Sequence, residues 1–427
     1  MKEDIIFHID VNSAFLSWTA AYRVNILGEK LDLREVPSIV GGDQESRHGI
    51  VLAKSMQAKE FGIHTGEAIV TAIKKCPGLV VVPPDYHLYV SASRALMELL
   101  NNYSDHVTQY SIDEAWVEFS GFDWLYGGCV SFANDLKNEI KKELGFTVNI
   151  GISTNRLLAK MAGDFKKPDR VHTLFPDEIE RKMWPLPVDN LFFVGAASIK
   201  KLHTLGIYTI GELACADLSI LKAHMKNQGE VIWNYANGND LVPYIYNHNS
   251  NKGYGNSVTA PRDVMSRENA RQIILSLCET VGMRIRMDHV KISCVAVSIT
   301  SNEFEYSSKQ MQLMSVTDVT EEIYENACQV FDRLWDNITP IRQLGVHTSR
   351  VSETGVRQYN LFDMTRYDKL EKCNQTIDTI RNRFGEDSVK RACFLDSKIN
   401  HISGGLDKER RTGITQGLDL NKEQRVY

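Results

Sequence analysis

The sequence predicts an α/β protein built from several domains, and three observations carry that prediction. Its 427 residues are too many for one ordinary core, so two to four domains are expected. Short apolar runs alternate with helical patterns as far as residue 174. From Asn256 to Val351 the order of patterns is strand, helix, strand, strand, helix, strand, a split βαβ arrangement. A composition of 43% hydrophobic and 24% charged residues suits a globular chain, and no apolar run approaches the length that spans a bilayer. The opening "MKEDIIFHID" is charged and passes directly into an apolar strand, unlike a signal peptide. Eight scattered cysteines form no C-x-x-C pair, which argues against a zinc or thioredoxin-like site and for reduced, mostly buried thiols in a cytosolic protein. A net charge of -5 argues only weakly against a nucleic-acid partner, because the distribution of charge matters more than its sum.

Taken in order, Asp4 to Asp10 reads as a short apolar strand ending in an acid, and Ser13–Val24 as a helix. "EVPSIVGG" and "HGIVLAK" flank a polar loop as a hairpin, and "SMQAKEFG" is a helical stretch closed by Gly62. Tyr86 to Asn101 and Phe132–Leu144 are helical, with strands between them and at "FTVNIGIS". Short helices fill Pro185 to Gly238, with small-residue turns at Gly195 and Gly206. "YNHNSNKGYGNS" has no periodicity and reads as a linker. Arg267–Arg286 is a helix behind a Ser266 cap, with Ala270, Ile274, Leu277 and Val281 on one face. Val319–Trp335 carries a second such stripe. A charged helical stretch runs to Phe384, and the last residues, without an apolar stripe, are expected to be disordered.

One stretch is at odds with its surroundings. "QYSIDEAWVEFSG", Gln109 to Gly121, is strand-like but holds Asp113 and Glu114 side by side. Neighbours on a regular strand face opposite ways, so one carboxylate would face apolar surroundings at considerable cost. Divalent cations such as magnesium would neutralise both, and Asp10, at another strand end, would complete a two-ion site. The strand must then bend at this point. The plainer alternative is a hairpin tip with two solvated acids, and these residues alone leave both readings open.

"FHIDVNSAF", "YSIDEAWVE" and "GISTNRLLAKMAGDFKKP", in that order, resemble the Y-family of DNA polymerases, the translesion enzymes. The resemblance runs from about Ile6 to Phe362 and is nearest the bacterial DNA polymerase IV branch, although "DVN" with Asn12 resembles the DNA polymerase V catalytic subunit. It implies a right-hand polymerase. A ferredoxin-like palm would span 1–17 and 83–174, small fingers 18–82, a helical thumb 175–244 and a linker 245–255. A β-α-β-β-α-β little finger would span 256–352, and a tail 353–427. The implied activity is template-directed, low-fidelity addition of deoxynucleotides to a primer by two-metal phosphoryl transfer. Asp10 and Asp113 would bridge two Mg2+ ions, for which Mn2+ could substitute, and Glu114 would hold the ion nearer the primer end. The backbone carbonyl of Val11 would be a further ligand. Phe15 falls at the steric gate that favours deoxyribose; Lys167 and Lys59 fall at triphosphate contacts. Met56 stands where the family commonly has a tyrosine donor, and Lys59 replaces an arginine.

The same resemblance makes Phe193–Ala197 with Leu205–Ile207 a helix-hairpin-helix in the thumb, with Phe193 in place of one usual glycine. Lys291, Lys309, Arg342 and Arg350 would touch DNA backbone from the little finger. Gln358, Leu361 and Phe362 fit the Q-x-x-L-F pattern that docks on a sliding clamp, in a segment expected to be flexible. Expected partners are therefore primer-template DNA, deoxynucleoside triphosphates and a sliding clamp, with no membrane and the chain a monomer in the bacterial cytoplasm at the nucleoid. Two other classes compete: a catalytically silent family member acting as a repair scaffold, and a cyclase suggested by "GGDQE" at Gly41–Glu45. The cyclase is set aside, because its motif would have to occupy the place of "YSIDEAW".

Overall fold

The computed structural model describes residues 5–42, 49–119, 128–241, 251–353, 357–358, 364–395, 399 and 401–402. They form two compact units, divided after residue 246.

The first unit is built on a five-stranded sheet. Its strands are β1 (Ile6–Val11), β5 (Val107–Gln109), β6 (Glu114–Glu118), β7 (Val148–Ser153) and β8 (Val171–Thr173), in the order β5-β6-β1-β7-β8. A second, three-stranded sheet holds the hairpin β2 (Ser38–Gly41) and β3 (Val51–Lys54), with β4 (Val80–Val82) parallel to β2. Helices α1 (Ala14–Asn25), α2 (Met56–Glu60), α3 (Ile69–Lys75), α4 (Tyr86–Asn101), α5 (Cys129–Leu144) and α6 (Arg156–Gly163) lie between these strands in sequence. Alternation on β1 explains the layering. Phe7, Ile9 and Val11 enter a core shared with Leu96 and Leu100 of α4 and Leu136 and Ile140 of α5. Ile6 lies on the other face, against Trp116 and Ala159 of α6. That helix lies close on the sheet because Gly151 has no side chain: a Cβ there would meet the Ala159 carbonyl oxygen at 1.9 Å and the Gly163 nitrogen at 2.3 Å.

Short helices follow: α7 (Ile179–Lys182), α8 (Ala196–Thr204), α9 (Ile210–Ala214), α10 (Leu218–Met225) and α11 (Asn227–Ala236). Their starts are set locally. Thr209 and Glu212 form a reciprocal capping box, and the Asp217 side chain caps α10. Leu158, Met161, Leu191, Leu202, Leu213 and Ile232 make their common core.

The second unit has the expected β-α-β-β-α-β order: β9 (Gly253–Val264), α12 (Arg267–Met287), β10 (Lys291–Ser301), β11 (Tyr306–Thr317), α13 (Thr320–Leu334) and β12 (Ile341–Ser352). The sheet is antiparallel throughout in the order β11-β10-β12-β9. Ser266 caps α12 through the Asn269 N–H at 3.2 Å, and Ala270, Ile274, Leu277 and Val281 are all fully buried, the face that periodicity predicts. The first strand begins at Gly253, inside the segment expected to be linker: paired with β12, its Gly- and Asn-rich start has no apolar alternation to announce it. A last helix, α14 (Met364–Phe384), is joined by ion pairs to α12, through Arg286–Asp378 and Arg381–Glu279, and to α13, through Arg366–Glu325. Only Cys76, Cys278 and Cys294 are buried; Cys215, Cys373 and Cys393 are exposed, which corrects the expectation of mostly buried thiols.

Candidate active site

The two acids of "SIDEAW" escape the strand alternation because the strand begins between them. Glu114 is the first residue of β6 and the direct cross-strand partner of Asp10. Asp113 lies one position earlier, in the turn from β5, where its carbonyl accepts the Val11 N–H at 3.0 Å. The Tyr110 N–H closes that turn on the Glu114 carbonyl at 2.9 Å. The stretch is thus a hairpin, as the plainer reading had it, but a hairpin laid against the end of β1. Asp10 shares the sheet face of His8 and is 7% exposed.

Each carboxylate has its own partners. The Ser111 hydroxyl donates to Asp113 Oδ1 at 2.6 Å. Glu114 Oε2 lies 3.1 Å from His8 Nε2 and pairs with Lys160 Nζ. Burial works against the Glu114 charge, but the hydrogen bonds from His8 and Lys160 prevail and hold its carboxyl down at about 2. Asp10 Oδ2 pairs with Lys167 Nζ, which Asp164 also holds at 2.8 Å. Burial lifts the Asp10 carboxyl above its ordinary value against the opposing charge of Lys167. Burial likewise opposes the Lys167 ammonium, yet Asp10 and Asp164 raise it above its ordinary value.

Asp10, Val11, Phe15, Met56, Lys59, Asp113 and Lys167, all singled out from sequence, line one cavity of about 390 Å³. Glu114 does not line it; its side chain is directed to His8 and Lys160. A larger cleft, about 730 Å³, lies between α1, α4 and α5 and shares no residue with the first; Trp18, Leu88, Ala92 and Phe146 line it, and it presents no basic group. Chemistry, not size, therefore marks the site. The Phe15 ring stacks on Tyr89 with centroids 4.3 Å apart and planes 6° apart, and meets the Tyr86 edge at 6.0 Å. Its orientation is thereby fixed by its neighbours.

Asn12 explains itself in the fold. Its amide donates to Asn149 Oδ1 at 3.1 Å, and its oxygen accepts the Thr147 hydroxyl at 3.0 Å and the Asp169 N–H at 2.9 Å. Asn149 in turn donates to the Gly163 and Lys166 carbonyls at 3.0 and 2.9 Å. The amide pair ties the segment bearing Lys167 to the end of β1; a carboxylate at position 12 could not donate in this way. Sequence reading missed His8, Lys160, Asp164 and Asn149. Lys160 did carry a signal, a lysine facing the sheet from a helix with "LLA" before it, but its partner lies 46 positions away.

The donor chemistry suits hard divalent cations: carboxylate oxygens of Asp10 and Asp113 and the carbonyl-bearing Val11 line one cavity with a lysine that suits phosphate. The fit is incomplete in one respect. Among the described residues no group of three or more His, Cys, Asp or Glu side chains is arranged to hold a metal ion; Glu114 is paired with His8 and Lys160, and Asp10 with Lys167.

Elsewhere the expected contacts divide. Phe193 adopts φ of +74° and exposes 58% of its surface at the turn before α8, a backbone conformation that glycine adopts without strain. Gln228 Nε2 donates to its carbonyl at 3.1 Å. Lys291 is not a free sheet cation: Nζ bonds the Tyr367 hydroxyl at 3.2 Å and Glu371 at 3.0 Å of α14. Lys309 donates to the Arg333 carbonyl, Arg350 bonds Gln312 at 2.6 Å, and Arg342 stands over the Phe304 ring. Gln358 is exposed, with its N–H on Ser315 Oγ at 3.0 Å; Leu361 and Phe362 lie outside the described residues. The chain before them is anchored rather than free: Arg357 forms a fork on Glu322 at 2.8 and 2.7 Å and stands 3.6 Å from the Tyr367 ring centre.

Comparison with known proteins finds relatives over most of the chain. Residues 9–164 match the impB/mucB/samB family, and residues 251–361 match the C-terminal domain of that family. A DNA polymerase IV of Clostridium acetobutylicum is 43% identical over 92% of this chain and 99% of its own length. One from Acetivibrio thermocellus is 36% identical over 93% of this chain and 99% of its own length. Among solved structures, a Y-family DNA polymerase chimera superimposes with a TM-score of 0.67 at 19% identity, covering 81% of this chain and 99% of that one.

Proposed function

The chain belongs to the Y-family DNA polymerases, a right-hand fold of DNA-directed DNA polymerases, and from that premise we propose how its residues carry out translesion synthesis. The reading is template-directed addition of deoxynucleotides to a primer by two-metal phosphoryl transfer, at low fidelity. The observation that carries it is the single cavity that brings Asp10, Asp113, Phe15, Lys59 and Lys167 together from distant parts of the sequence. Glu114, one residue beyond, is the cross-strand neighbour of Asp10.

Asp10, Asp113 and the Val11 carbonyl would hold two Mg2+ ions, or Mn2+ in their place, with Glu114 joining them after release from Lys160. Such ions, when bound, would lower the pKa of the primer hydroxyl and offset charge on the leaving pyrophosphate. The protein's own groups do the rest. Lys167 and Lys59 attract and position the triphosphate as point charges. Lys167 must exchange its bond to Asp10 for a phosphate oxygen, which frees that carboxylate at the moment substrate arrives. Phe15, braced by Tyr89, presents a fixed ring where a ribose 2′-hydroxyl would collide.

The remaining assignments follow the same reading. The segment Phe193–Ala197 with Leu205–Ile207 and the sheet of the second unit would grip DNA backbone, without sequence preference and with strong salt dependence. Gln358, Leu361 and Phe362 would dock a sliding clamp, and the chain would work as a monomer in the cytoplasm. No helix among the described residues is long and apolar enough to cross a membrane. Primer extension on a short template with magnesium and single deoxynucleotides tests the proposal. Template-directed incorporation by the intact chain, lost in Asp113→Ala and retained on a short template when Gln358, Leu361 and Phe362 are replaced by alanine, is expected. Absence of incorporation by the intact chain would refute it and revive the silent scaffold.

A further inference from the structure

The cavity that holds Asp10 and Asp113 carries a third lysine that no motif singled out. Lys54 is the last residue of β3, half-buried, and lines the cavity with Lys59 and Lys167. Its ammonium reaches only the Thr65 hydroxyl, at 3.5 Å, and no carboxylate lies within ion-pair distance of it among the described residues. The one acid whose charge it feels, Glu67, is already held by Lys75 at 2.6 Å. Burial and the neighbouring Lys59 charge press the Lys54 ammonium below its ordinary value. Two like charges facing one cavity are costly there unless an anion enters between them. Met56, between them in sequence and lining the same cavity, offers no hydrogen-bond donor.

We propose that Lys54 is a triphosphate-binding residue of this site, which with Lys59 supplies the charge that holds the incoming nucleotide's phosphates where Met56 supplies no donor. The inference rests on the polymerase reading for its substrate, and one readout of its test, stabilisation by tripolyphosphate, is independent of that reading. The geometry explains why the pair is tolerated: among the described residues neither lysine is in an ion pair with a carboxylate, so both can turn to one polyanion without breaking one. Lys167 differs, since it must first leave Asp10.

The test is Lys54→Met, with Lys54→Arg as the charge-keeping control and Lys54→Met/Met56→Tyr as the rescue. In single-nucleotide incorporation, K54M should raise KM for the deoxynucleoside triphosphate by about tenfold, with the loss falling on KM rather than kcat, as for one charge-assisted contact. Inorganic tripolyphosphate should inhibit the mutant correspondingly less, K54R should stay near the parent, and the added phenol should recover part of the KM. Thermal stabilisation by tripolyphosphate, strong in the parent and weakened in K54M, reads the same contact without catalysis. A parent that is stabilised but does not incorporate nucleotides sinks the polymerase reading alone. Unchanged KM together with unchanged stabilisation in K54M sinks the Lys54 assignment, as does a raised KM with unaltered tripolyphosphate response.

Discussion

Both units bury acids against bases, and they do so in opposite ways. In the second unit, Glu279 is 4% exposed and is held by Arg381 at 2.6 Å and Arg391 at 2.5 Å. Arg391 also takes Glu321 at 2.6 Å, and Arg286 grips Asp378 with both arms at 2.6 and 3.1 Å. Neither cavity described above is lined by any of these groups. In the first unit, Asp10 and Glu114 are paired with lysines, and the Asp10–Lys167 pair opens onto a cavity. A guanidinium fork fixes a carboxylate in two directions, whereas an ammonium is a point charge on a flexible stem that releases its partner readily. The arginine cluster is built to stay closed and to fasten α14 to its unit. The lysine pairs hold their carboxylates through single ammonium contacts.

Substitutions can break that contrast. Asp113→Ala should cost the most, lowering single-nucleotide incorporation on the order of 10³-fold or more while leaving the melting temperature near that of the parent. A smaller loss, or a large fall in stability, would place Asp113 in the structure rather than in the chemistry. Glu279→Ala should do the reverse. Removing it strands two arginines and should destabilise the fold by about 3 kcal/mol in denaturant titration, with kcat per folded molecule unchanged. Gly151→Ala should cost about 2 kcal/mol, because the methyl group must push α6 off the sheet. Since α6 carries Lys160, this variant should lose activity at permissive temperature as well, and full activity there would separate the helix from the site.

Phe15→Ala should leave deoxynucleotide incorporation largely intact and erode discrimination against ribonucleotides by about tenfold, about 1.4 kcal/mol. Unchanged sugar preference in competition assays would dismiss the gate. The mildest probe is acid. Burial opposes the Glu279 charge, but Arg391 and Arg381 outweigh it and hold the carboxyl below its ordinary 4.5. Its stabilisation is therefore complete above that ordinary value and is lost as pH falls through the lower, folded one. Calorimetry between about pH 6 and pH 3 should show the parent losing stability over that range more than Glu279→Gln, which has no such charge to lose.

The elements of the second unit were legible because their signals are local. Ser266 before an apolar stripe at Ala270, Ile274, Leu277 and Val281 defines a helix start and a buried face within one segment. Asp10, Asp113, Phe15 and Lys167 were legible through motif order, and the cavity brings them together. What could not be read depends on contacts across the chain. Glu114 meets a histidine 106 positions away, and Asn12 meets an asparagine 137 positions away. Lys291 looked like a free sheet cation because nothing in its own strand announces that α14 will supply Tyr367 and Glu371. Lys54 was missed for a different reason: strand alternation alone does not say which face of a short three-stranded sheet borders the cavity.

The anchoring of Arg357 has a mechanical consequence. The Q-x-x-L-F segment does not hang from the end of the chain: just before it Arg357 grips Glu322 of α13, and just after it α14 begins, itself fastened to α12. Fully extended, the stretch from Gln358 to Met364 can span at most about 20 Å. A partner that held that stretch would pull on two anchored ends, and the load would pass into ion pairs of the second unit. Cutting either stitch, Arg357 on one side or the α14 contacts on the other, would lengthen the leash without touching the hook.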